Sequence, residues 1–218
     1  AALTAFNQSN SSTLNNKTIQ IKLTGLGSVD SQSQILGGQI KPIAWSPASN
    51  LEMSRLNYKW QLAHGGKAII STSQQLEPQS LVNSPLVLLS WQQRAQQLLS
   101  HYQVNTLDWP TLSSAFQANS WVELGGQQGW GRVKFGHTVP ERSNSGLLTV
   151  TLLAYKYFNE PRGLTPDQFA APSKYWDYLN VFEQAVNSFG CSSGTYLNDL
   201  ISAGPAQGGY HGRPAAPA

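Results

Sequence analysis

The stretch from Phe135 to Tyr157, FGHTVPERSNSGLLTVTLLAYKY, gathers His137, Glu141, Arg142, Ser143, Asn144 and Ser145 where a strand pattern gives way to a long apolar helix. A helix start leaves N–H groups without intrahelical partners. Hydroxyl residues there either cap the helix or help hold an anionic ligand. Covalent chemistry has thinner candidates. His137 and Ser145 have the types of a base and a nucleophile, but they flank a turn and no third group orients them. Cys191, the single cysteine, reads as a small buried filler and excludes an internal disulfide. Glu141 and Arg142 read as a solvated turn pair, with Arg142 the one able to face a ligand. No P-loop, H-E-x-x-H or G-x-G-x-x-G motif occurs, and no pair among His64, His101, His137 and His211 has metal-ligand spacing. No catalytic residue, metal or cofactor is therefore expected.

Hydroxyl residues recur at other junctions. Ser28 precedes a helix expected from Asp30, Ser46 and Ser49 lie in WSPAS, Ser84 precedes the apolar run PLVLLSW, and Ser192 and Ser193 precede the last helix. Each alone reads as a helix cap. Their recurrence points to binding, because open α/β sheets bind ligands where loops converge beyond the strand ends.

The elements that must position these residues alternate between strand and helix patterns. Strands are expected at TIQIKLTGLGS, KPIAWSPASN, GKAIIST, SPLVLLSW and WGRVKFGHT. Helices are expected at 30–36 with an Asp30 cap and a Gly37-Gly38 stop, at 92–101, after Asp108 with Pro110 in the first turn, and at 146–158. Further helices are expected at LTPDQF behind Thr165, from a Ser173 cap to a Gly190 stop, and at SSGTYLNDLISAG. This alternation predicts an α/β architecture with mainly parallel sheets.

Composition bounds the partners. The 218 residues carry a formal net charge of +3 with no Lys/Arg run, so a nucleic-acid interface is not expected. No segment has the ~18–20 consecutive apolar residues of a membrane-spanning helix. Only 11% of residues are charged, so the polar surface must come from Ser, Asn, Gln and Thr, which suits a secreted or envelope protein. The triplets at Asn7, Asn10 and Asn16 match glycosylation sequons, though a solvated loop explains them as well. Seven Trp residues are expected chiefly in the core.

Taken in order, IKPIAWSPASN, LVNSPLVLLSW, WGRVKFGHTVPERSNSGLLTVTLLA and SSGTYLNDLISAGPA resemble bacterial extracellular solute-binding proteins of the molybdate/sulfate-binding-like group, some of which accompany von Willebrand factor A domains. The resemblance spans roughly residues 1 to 206. It implies a two-lobed type II periplasmic binding fold, α/β with mainly parallel sheets flanked by helices. Residues 1–83 would form the first lobe, 84–190 the second, 191–206 a helix returning toward the first, and 207–218 a disordered or foreign tail. The implied ligand residues are Ser28, Ser46, Ser49, Ser84, Arg142, Ser143, Asn144 and Ser145, closing on a small solute or oxyanion. The implied setting is extracytoplasmic, at the periplasm or cell surface, for transport or sensing with a membrane transporter such as an ABC type or a von Willebrand factor A domain as partner. The family pattern opens with a strand before ALTAFN and adds a returning strand after ISAGPA. Here the first lobe is expected to lack both, no signal peptide is present, and the chain reads as a fragment or as carrying a foreign tail. The alternative is an interaction or adhesion module, a binding-protein scaffold presenting a surface to a partner. A hydrolase using Ser145 or Cys191 is the remaining reading.

Overall fold

The computed structural model describes residues 2–9, 12–71, 78–170 and 172–204. The chain is mixed α/β with helix predominating. Helix α1 (Ala2–Asn7) leads into a two-residue antiparallel hairpin, β1 (Thr13–Leu14) and β2 (Lys17–Thr18). Next come α2 (Ser28–Leu36) and α3 (Asn50–Ala63). Then follow α4 (Gln92–Tyr102), α5 (Trp109–Gln117) and two short 3-10 turns. The remainder is β3 (Phe135–Thr138), α6 (Asn144–Phe158), α7 (Pro166–Phe169), α8 (Tyr175–Ala185), β4 (Val186–Gly190) and α9 (Ser193–Ala203).

The main core lies in the second half of the chain. Phe182 of α8 is fully buried, with ring contacts to Trp109, Phe116, Phe135 and Tyr178 at centroid separations of 5.1–6.3 Å. Leu153 of α6 and Ala115 of α5 are equally inaccessible in the same cluster. The amphipathic spacing of α5, α6 and α8 puts these side chains on one stripe each, and burying those stripes together holds the helices against β3. Of the seven Trp residues only Trp121 is fully buried, and Trp176 is half exposed.

Strands β3 and β4 pair in parallel, with His137 opposite Phe189 and Thr138 opposite Gly190. The ring of Tyr196 from α9 lies against this ladder. A Cβ at Gly136 or Gly190 would collide with it, so the two glycines admit α9. Gly146 does the same for α6. A Cβ there would run into the Thr138 carbonyl, so its absence lets the helix start sit directly on the strand. Three chain segments are thereby held at one corner: the end of β3, the start of α6 and the start of α9.

The first half is held differently. Gln32 of α2 and Glu52 of α3 are both fully buried. Gln32 Nε2 donates to the Glu52 carboxylate at 2.8 Å and to its backbone carbonyl at 3.0 Å, and Arg55 Nη1 pairs with the other carboxylate oxygen at 3.1 Å. A buried charge needs such partners. Trp45 Nε1 donates to Ser31 Oγ at 2.9 Å. Beyond this polar joint, apolar side chains remain exposed, among them Leu23, Ile43, Leu81, Val82 and Val87.

Several expectations need correction. TIQIKLTGLGS contributes only Thr18 to a ladder, and KPIAWSPASN, residues 66–71 and SPLVLLSW form no strand. A strand exists only through a partner, and the described residues supply none for these runs. Residue 72, at the end of GKAIIST, and residues 205–218, which include the expected tail, lie outside the described residues. Helix α3 was not anticipated. Asp30 is in the first turn of α2, whose cap is Gly27. The α8 cap is Lys174, although Ser173 Oγ still accepts from Tyr175 N–H at 3.3 Å. Gly190 does not stop α8. The helix ends at Ala185, because Val186 to Gly190 satisfy their backbone in the ladder with β3. Cys191 is exposed rather than buried.

Asp108 caps α5 as expected, accepting from Thr111 N–H at 3.0 Å and from its hydroxyl at 2.7 Å. The Thr111 hydroxyl first, then the backbone N–H, hold the Asp108 carboxyl below the ordinary aspartate range. A depressed carboxylate stabilises above its unfolded value and loses that contribution as pH falls through the folded one. Asp108→Ala should cost ~1 kcal/mol at neutral pH. The gap between the two proteins should narrow on acidification through the carboxylate range. Urea melts of both from pH 7 to pH 3 check this.

Candidate functional site

Four helix starts meet at one corner: those of α2, α3, α6 and α9. Their caps are Gly27, Ser49, Ser143 and Ser192. Only Ser192 caps in the ordinary way, its Oγ accepting from Thr195 N–H at 3.2 Å. The side chains of Ser49 and Ser143 make no capping bond to their own helices. Ser49 instead donates across the molecule to Asn144 Oδ1 at 2.6 Å. Ser28 Oγ accepts from Ala48 N–H at 2.9 Å, tying the α2 start to the loop before α3. A Cβ on Gly27 would stand 3.0 Å from the Arg142 carbonyl, so the α2 start also abuts the turn before α6.

Ser145 is the hub. Its Oγ lies 2.7 Å from Thr138 Oγ1, 2.8 Å from Ser193 Oγ and 3.2 Å from Ser143 Oγ. These three contacts occupy three of the four hydroxyl protons and leave one to donate elsewhere. Asn144 Nδ2 makes no hydrogen bond among the described residues, and the first-turn N–H groups of α6 have no intrahelical acceptor. The corner therefore holds surplus donors. Ser143 and Asn144 are buried and Ser145 is half-buried.

The structure thus brings Ser28, Ser49, Ser143, Asn144 and Ser145 together. Arg142 joins them through its backbone, while its side chain is exposed and pairs with no described residue. Ser46 is exposed two residues before Ala48. Ser84 is exposed, outside any helix or strand, and bonds to none of the others. Gly146 does not leave room for a ligand. The space its missing Cβ vacates is filled by the Thr138 carbonyl. The sequence reading missed Thr138 and Ser193. Thr138 sits at the strand end of the quoted junction, and Ser193 was noted only as preceding a helix.

His137 is buried under this corner, with both ring nitrogens engaged: Nδ1 faces the Thr138 carbonyl at 2.8 Å and Nε2 faces Glu183 Oε1 at 3.2 Å. Neither nitrogen bonds to Ser145, so the pair does not form a base and nucleophile. A further spacing escaped the sequence reading: Gly190-Cys191-Ser192-Ser193-Gly194 fits G-x-S-x-G between a strand and a helix. A nucleophile elbow presents its serine on a sharp, strained turn. Ser192 has extended backbone, φ −148° and ψ 159°, and its hydroxyl is spent on Thr195. Among the described residues no three His, Cys, Asp or Glu side chains gather as a metal site. No described helix is long and apolar enough to cross a membrane. A cavity of about 780 Å³ adjoins the corner through the turn at Val139, Pro140 and Glu141 and is otherwise lined mainly from α6, α7, α8 and β4; none of these serines lines it.

No family model matches the chain, and neither a curated protein nor a solved structure is significantly similar to it.

Ser49→Ala would remove the bond that links α3 to α6 over 95 residues of sequence. It should lower stability by ~1 kcal/mol. Combined with Asn144→Ala the losses should be less than additive, because both remove one interaction. A double-mutant cycle by chemical denaturation measures this.

Proposed function

We propose that this chain is a non-catalytic binding protein for a small oxyanion, held by hydroxyl and backbone donors where the four helix starts meet. The observation that carries the reading is the convergence itself. Ser28, Ser49, Asn144, Ser145 and Ser193 come from four distant stretches of sequence and form one bonded corner. Two serines at cap positions are released from capping. Donors without a fixed countercharge suit an anion whose charge is spread over several oxygens, and helix N-termini favour negative charge. The resemblance to molybdate/sulfate-type solute-binding proteins supports the same ligand class. It also supports a two-lobed type II fold, an extracytoplasmic setting and a transporter or von Willebrand factor A domain as partner.

The test is thermal unfolding with molybdate, sulfate and phosphate, against amino acids and metal ions as controls. One oxyanion should raise the midpoint, with ~2.7 kcal/mol of added stability at a hundred times its dissociation constant. Ser145→Ala should weaken that response at least tenfold. A cooperative melt that no oxyanion shifts would contradict the reading.

The alternative, an interaction module presenting a surface to a partner, is favoured by the apolar side chains exposed between Leu14 and Leu89. A melt unmoved by solutes, together with concentration-dependent self-association of this chain, would support it.

A further inference from the structure

We propose that the groove between α6, α7, α8 and the end of β4 binds an organic ammonium ion, a compact apolar body carrying one positively charged nitrogen. The groove shares the turn at Val139, Pro140 and Glu141 with the hydroxyl corner, but none of the corner's hydroxyl residues lines it and the proposal does not rest on the oxyanion reading. Its volume of about 780 Å³ is within the range of small-molecule pockets. Phe169, Tyr175, Trp176 and Phe189 contribute aromatic surface to the lining. The first three are in mutual ring contact, with centroids 5.2–6.3 Å apart. The Trp176 indole N–H is already satisfied by the Phe169 carbonyl at 2.8 Å, which fixes the ring. Trp176 and Phe189 nevertheless remain 50% and 45% exposed, so apolar surface is available.

Charge selects the occupant. The acidic side chains of the lining are Glu141 and Glu183, and no Lys, Arg or His side chain lines the groove. Glu183 is engaged from the strand side by His137, through Oε1 at 3.2 Å, and its side chain keeps 32% exposure. Burial first, then the negative charge of Glu183, raise the Tyr175 phenol, which therefore stays neutral and adds no competing charge. An anion would meet two carboxylates and no cationic side chain in the lining. A cation meets those carboxylates and the aromatic surfaces that favour it.

The test is calorimetric titration of the full chain with phenethylammonium, using 2-phenylethanol as the neutral analogue and 3-phenylpropionate as the anionic one. Phenethylammonium should bind about tenfold more tightly than the alcohol, and the carboxylate should not bind. Glu141→Gln, in an exposed turn, and Trp176→Ala, at a half-exposed position, should each weaken the ammonium several-fold. Neither should change the oxyanion response. Equal binding of ammonium and alcohol would overturn the proposal and leave an unselective apolar groove. Binding of the carboxylate, or no ammonium binding by a protein with an intact melt, would overturn it as well.

Discussion

Phe182→Ala should lower the stability of this protein by about 3–5 kcal/mol. The side chain is fully inaccessible and is ringed by Trp109, Phe116, Phe135 and Tyr178. Its removal opens a cavity that four large rings cannot close without leaving their own contacts. The loss is comparable with the whole stability of many domains, so the variant should be largely unfolded at moderate urea where the parent is folded. Phe189→Ala is the internal comparison. It lies in β4 and is 45% exposed, and its cost should be well under half as large. Similar costs for the two would mean that the core is not centred on α8.

The second large effect is one whose sign the sequence gets wrong. Gly146 is within helix α6, where alanine normally stabilises by ~0.5–1 kcal/mol. Here an added methyl meets the Thr138 carbonyl, and both colliding groups are held by backbone. Gly146→Ala should therefore destabilise by about 3 kcal/mol or more. It should also push the α6 start away from β3, so the contact between Ser145 and Thr138 hydroxyls should be lost with it. Gly194→Ala in α9, where nothing stands within 4 Å, is the control and should be neutral or mildly stabilising. Melts of the two variants side by side test this, and equal stabilities would contradict it.

The sequence made the second half of the chain legible. Capping chemistry places α5 behind Asp108 and α7 behind Thr165, and apolar spacing places α6 and α8. These signals are local, so they survive without knowledge of the partner. The first half was read poorly for the converse reason. The alternation in residues 18–28 and the apolar run in residues 84–91 have strand character, but a ladder depends on residues far away in sequence. Helix α3 was overlooked because its polar face is broad and its two buried residues are Glu52 and Leu56. At the candidate site, hydroxyl clustering marked Ser28, Ser49 and Ser143 to Ser145. It drew Ser193 only as one of two serines before the last helix and did not mark Thr138, because only the glycine-permitted packing of α9 and α6 on the strands brings those hydroxyls to Ser145. Val186 to Gly190 shows the same limit: helical periodicity continued, and the ladder with β3 prevailed.

The proposed anion-binding corner, where four helix starts meet, is tested most directly by an amide-resolved NMR titration with molybdate and, separately, sulfate. The amides of Ser28, Ser49, Asn144 to Gly146 and Ser193 should shift together and fit one dissociation constant. Ser145→Ala should abolish those shifts while the Phe182 core resonances stay in place. Shifts scattered over exposed Lys and Arg positions, or none at this corner in a folded protein, would contradict it.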